Sequence, residues 1–519
     1  MHLRYNLAAD LVDRHLEEGR GDRLAIVAGD RQVTYVALGE NVNRVGQALT
    51  AFGVGAGERV LLVLLDSPEF VAAFLGTTKI GAVAVPTNTT LRSADYAYFL
   101  EESGAVAVVV HAALLAEVAP ALERSNPRVG HRVVVVGDRV PGYLHWDDWL
   151  DGRSATLDAA PTTGTDVAFW LWTSGSTGKP KAAVHRHGDW SYCAATYASA
   201  VLGLTASDIT FSSSKLFHAY GLGNSLAFPL NAGAATILSP ERPHAKSVLD
   251  IVQRTRPTLF FSVPTLYASM LEEARATGYD LSSVRLAISA AEPLPAELFR
   301  RWKERFAIEI LDGLGSTEML HIYLSARAGE VRAGSCGTPV PGYDVRVVDA
   351  AGDDVPAGTV GDLLVTGASR AVCYWQRPEL TAERMRAAWF VTGDKYSVDA
   401  EGYYWYAGRA DDMFKVSGQW VSPIEIESTL VEHAAVLEAA VIGFEEASRL
   451  LTAKAFVVLR HGWTAGPELA KELQDFVKAR LTPYKCPRRI EFVPELPKSA
   501  AGKLLRYKLR DLASASDRH

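Results

Sequence analysis

The sequence predicts an α/β protein in two unequal parts: a large N-terminal domain with mixed and parallel sheets, and a small α+β C-terminal domain. Three observations carry that expectation. Short β-rich runs alternate with helical patterns through most of the chain, as in layered α/β architectures with buried parallel strands. The chain has 519 residues, more than one domain usually holds. Near Arg409-Ala410-Asp411-Asp412 it restarts as a compact unit of roughly 110 residues, a normal small-domain size.

The elements follow in order. The opening MHLRYNLAADLVDRHLEEG carries acids where a signal peptide needs an apolar run, and Leu7, Leu11 and His15 fall four apart on an amphipathic helix. RVLLVLL (59–65) reads as a strand, PEFVAAFLGTTKIG as a helix and AVAVP as the next strand. The longest apolar stretch, AVAVVVHAALLAEVAPAL, is broken by His111, Glu117 and Pro120, so it reads as strand then helix rather than a membrane span. VRVVD, GDLLVTG and YYWYAGR read as further strands. Placing the boundary at Asp411 gives domains 1–410 and 411–519. In the second, AAVLEAAVIGF and LTAKAFVVLR read as strands. ELAKELQDFVKARL reads as a helix with its stripe at Leu469, Leu473, Phe476 and Val477, and a last helix begins near Lys503.

Composition excludes several roles. Hydrophobic residues make up 48%, enough for large cores, while 22% charged residues and a net charge of −7 leave no basic footprint for nucleic acid. No segment reads as a membrane anchor. Cys193, Cys336, Cys373 and Cys486 are scattered with no CxxC pair, which predicts free thiols in a reducing, cytoplasmic setting.

The most informative segment is Thr173-Ser174-Gly175-Ser176-Thr177-Gly178-Lys179-Pro180-Lys181. Its hydroxyls, two ammonium groups and two glycines, which let backbone N–H groups approach a ligand, make a polyphosphate cradle. A Walker A loop would need Gly at Thr173 and Ser or Thr at Pro180, so this is a different cradle. Further along stand SAAEPLP (289–295), DGLGSTE (312–318), Thr392-Gly393-Asp394, GRADD (408–412), VSGQWVSP (416–423) and PKSAAGKLLR (497–506). In that order they resemble the acyl-adenylate-forming (AMP-binding) superfamily. KLFHAYGLGN (215–224), RPTLFFSVPTLYASML (256–271) and STEMLHIYLS (316–325) resemble its benzoate–CoA ligases.

The resemblance implies a multi-subdomain N-terminal domain with the active site at the interface with a mobile C-terminal domain. It implies ATP, Mg2+ and coenzyme A, and a small aromatic carboxylic acid that is adenylated and then passed to the CoA thiol. By it the 173–181 loop cradles phosphates, Asp312 and Gly313 open the nucleotide segment, Thr317 meets the α-phosphate and Glu318 holds Mg2+. A carboxylate suits that hard cation. Leu314 replaces the aromatic residue that often stacks on adenine, so stacking from that side is not expected. Ala291, Glu292 and Pro293 lie by the base. Asp394 and Arg409 hold the ribose, and one carboxylate can accept from both hydroxyls. Lys503 matches the catalytic lysine, whose ammonium offsets charge growing on the phosphoryl oxygens, and Asp411 matches the hinge. Gly418 lines the thiol tunnel, while Trp420 departs from the polar residue many relatives carry there. Ala219, Tyr220, His321, Ile322 and Lys415 fall near the ring or the carboxylate. His218, standing where benzoate ligases commonly carry Phe, matches the aromatic gate of other acyl-CoA ligases. FHAYGLGN holds no acid to pair an α-ammonium, which argues against a free amino acid. Loading of an aryl acid onto a carrier-protein thiol, activation of another small acid, and a nucleotide sensor without turnover are the alternatives. A protein lysine acetyltransferase acting on Lys503 is a candidate partner, the assembly is a monomer or homodimer, and no residue stands out as base for the thiol.

Overall fold

The computed structural model describes residues 4–123, 129–173, 179–276, 278–410, 412–416, 419–445, 451–498 and 504–516. Among these residues the strands form sheets of nine, seven, five, three and two strands.

Local chemistry explains where the elements start. Ser67 accepts the Phe70 N–H and Pro68 opens the helix Pro68–Lys79, which is buried along nearly its whole length. It sits between the parallel strands Arg59–Val63 and Val83–Pro86, as the alternating pattern predicts. Ala107–His111 is a strand followed by the helix Leu115–Leu122, which carries Pro120 inside it. No helix among the described residues is long and apolar enough to cross a membrane. Leu7, Leu11 and His15 are all buried, as their spacing predicts.

The site depends on two sheets. In the nine-stranded sheet, Ile209–Ser212, Leu259–Ser262, Leu286–Ser289 and Ile310–Gly315 run parallel side by side. Their carboxyl ends align, with Ser262 beside Ser289 and Ser289 beside Asp312. The segments SAAEPLP, DGLGSTE and KLFHAYGLGN all leave from those ends, where open α/β sheets bind ligands. In the seven-stranded sheet, Val167–Thr173 and Lys181–Arg186 form an edge hairpin, and Thr173 pairs with Lys181 across the base of the Gly/Ser-rich loop. The five-stranded sheet carries the long strand Trp389–Val398, paired with Tyr404–Arg409.

Beyond Asp411 the strands Val436–Glu445, Leu451–Leu459 and Arg489–Phe492 form a separate sheet. Alternation gives it two apolar faces. Val441, Ala453, Ala455 and Val457 pack on the helices Pro423–Val431 and Pro467–Lys478, while Ile442, Phe444 and Phe456 pack on Arg506–Ser516. Two expectations are corrected here. Phe476 is only half-buried, with its ring against Arg480 and His433, because it points to the rim of the helix face while Leu469, Leu473 and Val477 fill the core. The last helix starts at Arg506, after an antiparallel bridge from Lys498 to Leu504.

Candidate active site

Ser174, Gly175, Ser176, Thr177, Gly178, Asp411, Gly418 and Lys503 lie outside the described residues. Their flanks are described. Thr173 and Lys181 end the edge hairpin, and Lys415 stands on the short strand Phe414–Val416. The Leu505 N–H donates to the Pro497 carbonyl at 2.8 Å beside the Lys498–Leu504 bridge.

Glu318 is buried, and its Oε1 accepts the Tyr374 hydroxyl at 2.6 Å. Its other carboxylate oxygen has no hydrogen-bond partner among the described residues. Lys181 places its ammonium 4.4 Å from the centre of the same Tyr374 ring. Burial pulls the Lys181 pKa down, and Glu318 opposes that pull. Lys179 caps the ring of Tyr98 at 4.9 Å, while the Tyr98 hydroxyl donates to the Pro180 carbonyl at 2.6 Å. The Glu318 carboxylate and the Lys181 ammonium therefore share the Tyr374 side chain, an arrangement suited to phosphates with a hard cation.

The turn after Glu318 separates two chemistries. Leu320 takes φ 69°, the left-handed region a bulky residue seldom occupies. Gly315 is needed beside it, since a Cβ there would lie 2.6 Å from the His321 carbonyl oxygen. Through this turn Glu318 faces Lys181, whereas His321 enters an aromatic box. Ala291 is also left-handed, at φ 75°, in the turn that carries Glu292 and Pro293.

Asp394 and Arg409 stand opposite each other on paired strands, with Arg409 Nη1 donating to Asp394 Oδ1 at 2.9 Å. The Asp394 N–H is satisfied by the Thr392 hydroxyl at 3.0 Å. Asp312 is fully buried, and burial pushes its carboxyl up to about 8, so it is mostly neutral at pH 7. Its Oδ2 lies 3.4 Å from the Leu294 N–H, while Oδ1 has no partner among the described residues. Gly313 gives Ile322 room, because a Cβ would meet the Ile322 Cδ1 at 2.9 Å.

On the apolar side, Ala219 and Tyr220 begin the helical run that follows His218. Lys215, at the head of this stretch, donates to the Ser239 carbonyl at 2.6 Å. Gly221 must be glycine, since a Cβ would lie 2.2 Å from the Lys215 carbonyl oxygen. The Tyr220 hydroxyl donates to the Ile288 carbonyl at 3.2 Å. The buried His321 ring lies 4.5 Å from Phe228, 5.4 Å from Tyr197, 5.6 Å from Tyr220 and 6.2 Å from Trp190. Burial holds its pKa down at about 3, so the imidazole is neutral. His218 stacks tilted on Phe217 at 4.4 Å.

Three contributors escaped the motif reading. Tyr374 holds Glu318, yet it lies outside every quoted segment. His185 is fully buried, with Nδ1 3.1 Å from Asp189 Oδ2 and Nε2 2.8 Å from the Thr317 carbonyl oxygen. His185 stands near the end of a strand and Asp189 opens the next helix, so their contact comes from the turn between them and had no periodic signal in the sequence. Asp66 accepts the Leu216 N–H at 3.0 Å and so ties down the segment leading to His218; burial pushes its carboxyl up to about 6.

Known proteins resemble the chain over nearly its whole length. The family model for the AMP-binding enzyme matches residues 12–375, and that for the AMP-binding enzyme C-terminal domain matches 425–503. The chain is 48% identical to the benzoate–CoA ligase of Thauera aromatica, over 98% of this chain and 96% of that one. The anthranilate CoA ligase AuaEII, solved with anthranoyl-AMP, superposes with a TM-score of 0.96 at 41% identity, over 100% of this chain and 99% of that one. A benzoate CoA ligase from Burkholderia xenovorans LB400 gives 0.90 at 43%, over 98% and 100%.

Proposed function

The chain belongs to the AMP-binding enzyme family, and from that premise we propose that it is an ATP-dependent aryl-CoA ligase of the benzoate–CoA ligase type. The carboxylate of a benzoate attacks the ATP α-phosphate, giving aroyl-AMP and pyrophosphate. The CoA thiol then attacks the mixed anhydride and expels AMP.

The observation that carries the substrate class is the aromatic box around His321. A neutral imidazole among Phe228, Tyr197, Tyr220 and Trp190 offers flat walls and polar contact without charge. A flat neutral ring fits such walls, whereas a charged ring substituent would be buried unpaired. The test is pyrophosphate release over benzoate, aminobenzoates, hydroxybenzoates, octanoate and phthalate. kcat/KM for benzoate or a small neutral derivative should exceed that for octanoate and for phthalate. An apolar pocket separates near neighbours by only about 1–3 kcal/mol, so several benzoates should turn over. Ala219→Leu should depress para-substituted acids first. Octanoate as best substrate, or an unmoved profile in Ala219→Leu, overturns the reading.

In the proposed first step Glu318, whose carboxylate is bound on one oxygen by Tyr374, would hold Mg2+. Among the described residues no group of three His, Cys, Asp or Glu could cage an ion. One carboxylate plus substrate phosphates is the usual Mg2+ arrangement, so the residues fit. When bound, the cation offsets phosphate charge. Lys179, Lys181 and the 173–178 loop then hold the polyphosphate, and Thr317 is fixed through His185. Asp394 accepts the ribose hydroxyls, with Arg409 beside it, and Ala291–Pro293 border the base. His218 and Gly418 line the way of the thiol, and Lys415 meets the acyl group. Glu318→Gln should lower pyrophosphate release about 10²–10³-fold and raise the Mg2+ concentration for half activity. A variant with both values unmoved would remove Glu318 from this role.

We place the domain boundary at Asp411, so that 411–519 forms the mobile domain. The four thiols, none of them in a disulfide, suit a reducing cytoplasm.

A further inference from the structure

Burial without a partner is costly for a polar group, so several such groups in one place point to a missing ligand. One cluster of this kind lies beyond Tyr220. Asn224 is completely buried, and neither its Nδ2 nor its Oδ1 has a hydrogen-bond partner among the described residues. Both ring nitrogens of His321 and the Tyr197 hydroxyl are in the same condition. Asn224 is four residues after Tyr220 on the same helical run, so the two share a face. Burial raises the Tyr220 pKa, and the nearby Asn224 amide opposes that rise only weakly, without closing a hydrogen bond. The adjoining Gly223 backs onto the His321 ring, where a Cβ would lie 2.6 Å from Cδ2. The amide thus lies beside Tyr220, whose ring is 5.6 Å from His321, and the Tyr197 ring lies 5.4 Å from the same imidazole.

We propose that Asn224, with His321, reads a neutral hydrogen-bonding substituent on the substrate ring, a hydroxyl or an amino group. The inference rests on the aryl-CoA ligase reading and narrows it. An amide and a neutral imidazole each offer one donor face and one acceptor face, which suits a group that both donates and accepts. Neither supplies a counter-charge, so a carboxylate or an ammonium is not the occupant. A site that pairs its buried polar groups only with the right substituent rejects the ring that lacks it.

The test compares kcat/KM for benzoate with that for 2-, 3- and 4-hydroxybenzoate and 2-, 3- and 4-aminobenzoate, in the wild type, Asn224→Leu and Asn224→Ser. In the wild type at least one hydroxy- or aminobenzoate should exceed benzoate by tenfold or more. Asn224→Leu, which keeps the branching at Cγ but is larger and carries no polar atom, should reduce that ratio by about 10–100-fold. Asn224→Ser, which keeps a shorter hydroxyl, should reduce it less. Thermal melting of each variant checks folding, and the serine variant carries the comparison should the leucine variant be insoluble. Wild-type preference for benzoate, with a ratio that neither variant moves, means the cluster holds only water and overturns the proposal, while the aryl reading stands. No turnover of any aryl acid by the wild type overturns both.

Discussion

Lys503→Ala should abolish pyrophosphate release while the variant still converts supplied benzoyl-AMP to benzoyl-CoA. The charge that must be stabilised grows on the α-phosphoryl oxygens in the first step only. One preorganised ammonium at that point is worth on the order of 10²–10³ in rate or more. The frame around the lysine is firm at both stems. Lys498 pairs with Leu504 across an antiparallel bridge, and its Nζ lies 2.8 Å from Glu438. Just beyond, the partly buried Arg506 makes a two-pronged ion pair with Glu427 and donates to the Val441 carbonyl at 2.8 Å. Removing the Lys503 side chain should therefore remove charge without unmaking the stems. Equal loss of both half-reactions, followed by pyrophosphate and thioester assays, would refute the division. Acetylation of Lys503 removes the same charge and should give the same split. Full activity of acetylated enzyme, with the modification confirmed by mass spectrometry, would exclude that control.

Phosphate chemistry made much of the candidate site legible. Cradling a polyphosphate demands Gly, hydroxyls and Lys in a short loop, so Thr173–Lys181 announces itself, whereas the cation and ribose roles of Glu318 and Asp394 came through the family resemblance. Element types were legible for a similar reason: apolar alternation in Arg59–Val63 and the helical stripe of Pro467–Lys478 are local patterns. Strand order was not. The sheet places Ile209–Ser212 between Ala235–Leu238 and Leu259–Ser262, a result of long-range pairing that no window of sequence records. Nor were the supports. Tyr374 reaches Glu318 from 56 residues away, and His185 reaches Thr317 from 132 residues away. Asn224 stood in a quoted segment but passed as wall, because a buried amide without a partner is visible only when its surroundings are placed.

Asp411→Pro should leave pyrophosphate release intact and stop thioester formation. The Asp412 N–H closes a turn on the Arg409 carbonyl at 3.0 Å, but the side chains on either side are tied in opposite directions. On one side the Ala410 N–H donates to the Gly393 carbonyl at 3.0 Å, and Arg409 is held by Asp394 at 2.9 Å, both on the long strand of the five-stranded sheet. On the other, Asp412 lies 2.6 Å from Arg510 and 3.5 Å from Arg506, both on the last helix. A rotation of 411–519 against 1–410 must therefore be absorbed within very few backbone dihedrals, and Asp411 sits between the two anchors. Proline fixes its own φ and restricts the residue before it, here Ala410, to extended conformations. That removes the freedom a hinge uses. Adenylation is the first step, so the pose that performs it should survive, and aroyl-AMP should accumulate with CoA present. Stopped-flow traces would show a normal pyrophosphate burst with no thioester phase. A thioester phase at the wild-type rate would move the pivot away from Asp411. Loss of the burst as well would mean that the substitution distorts the Asp394–Arg409 pair, a result that Asp411→Ala separates, since alanine leaves φ free.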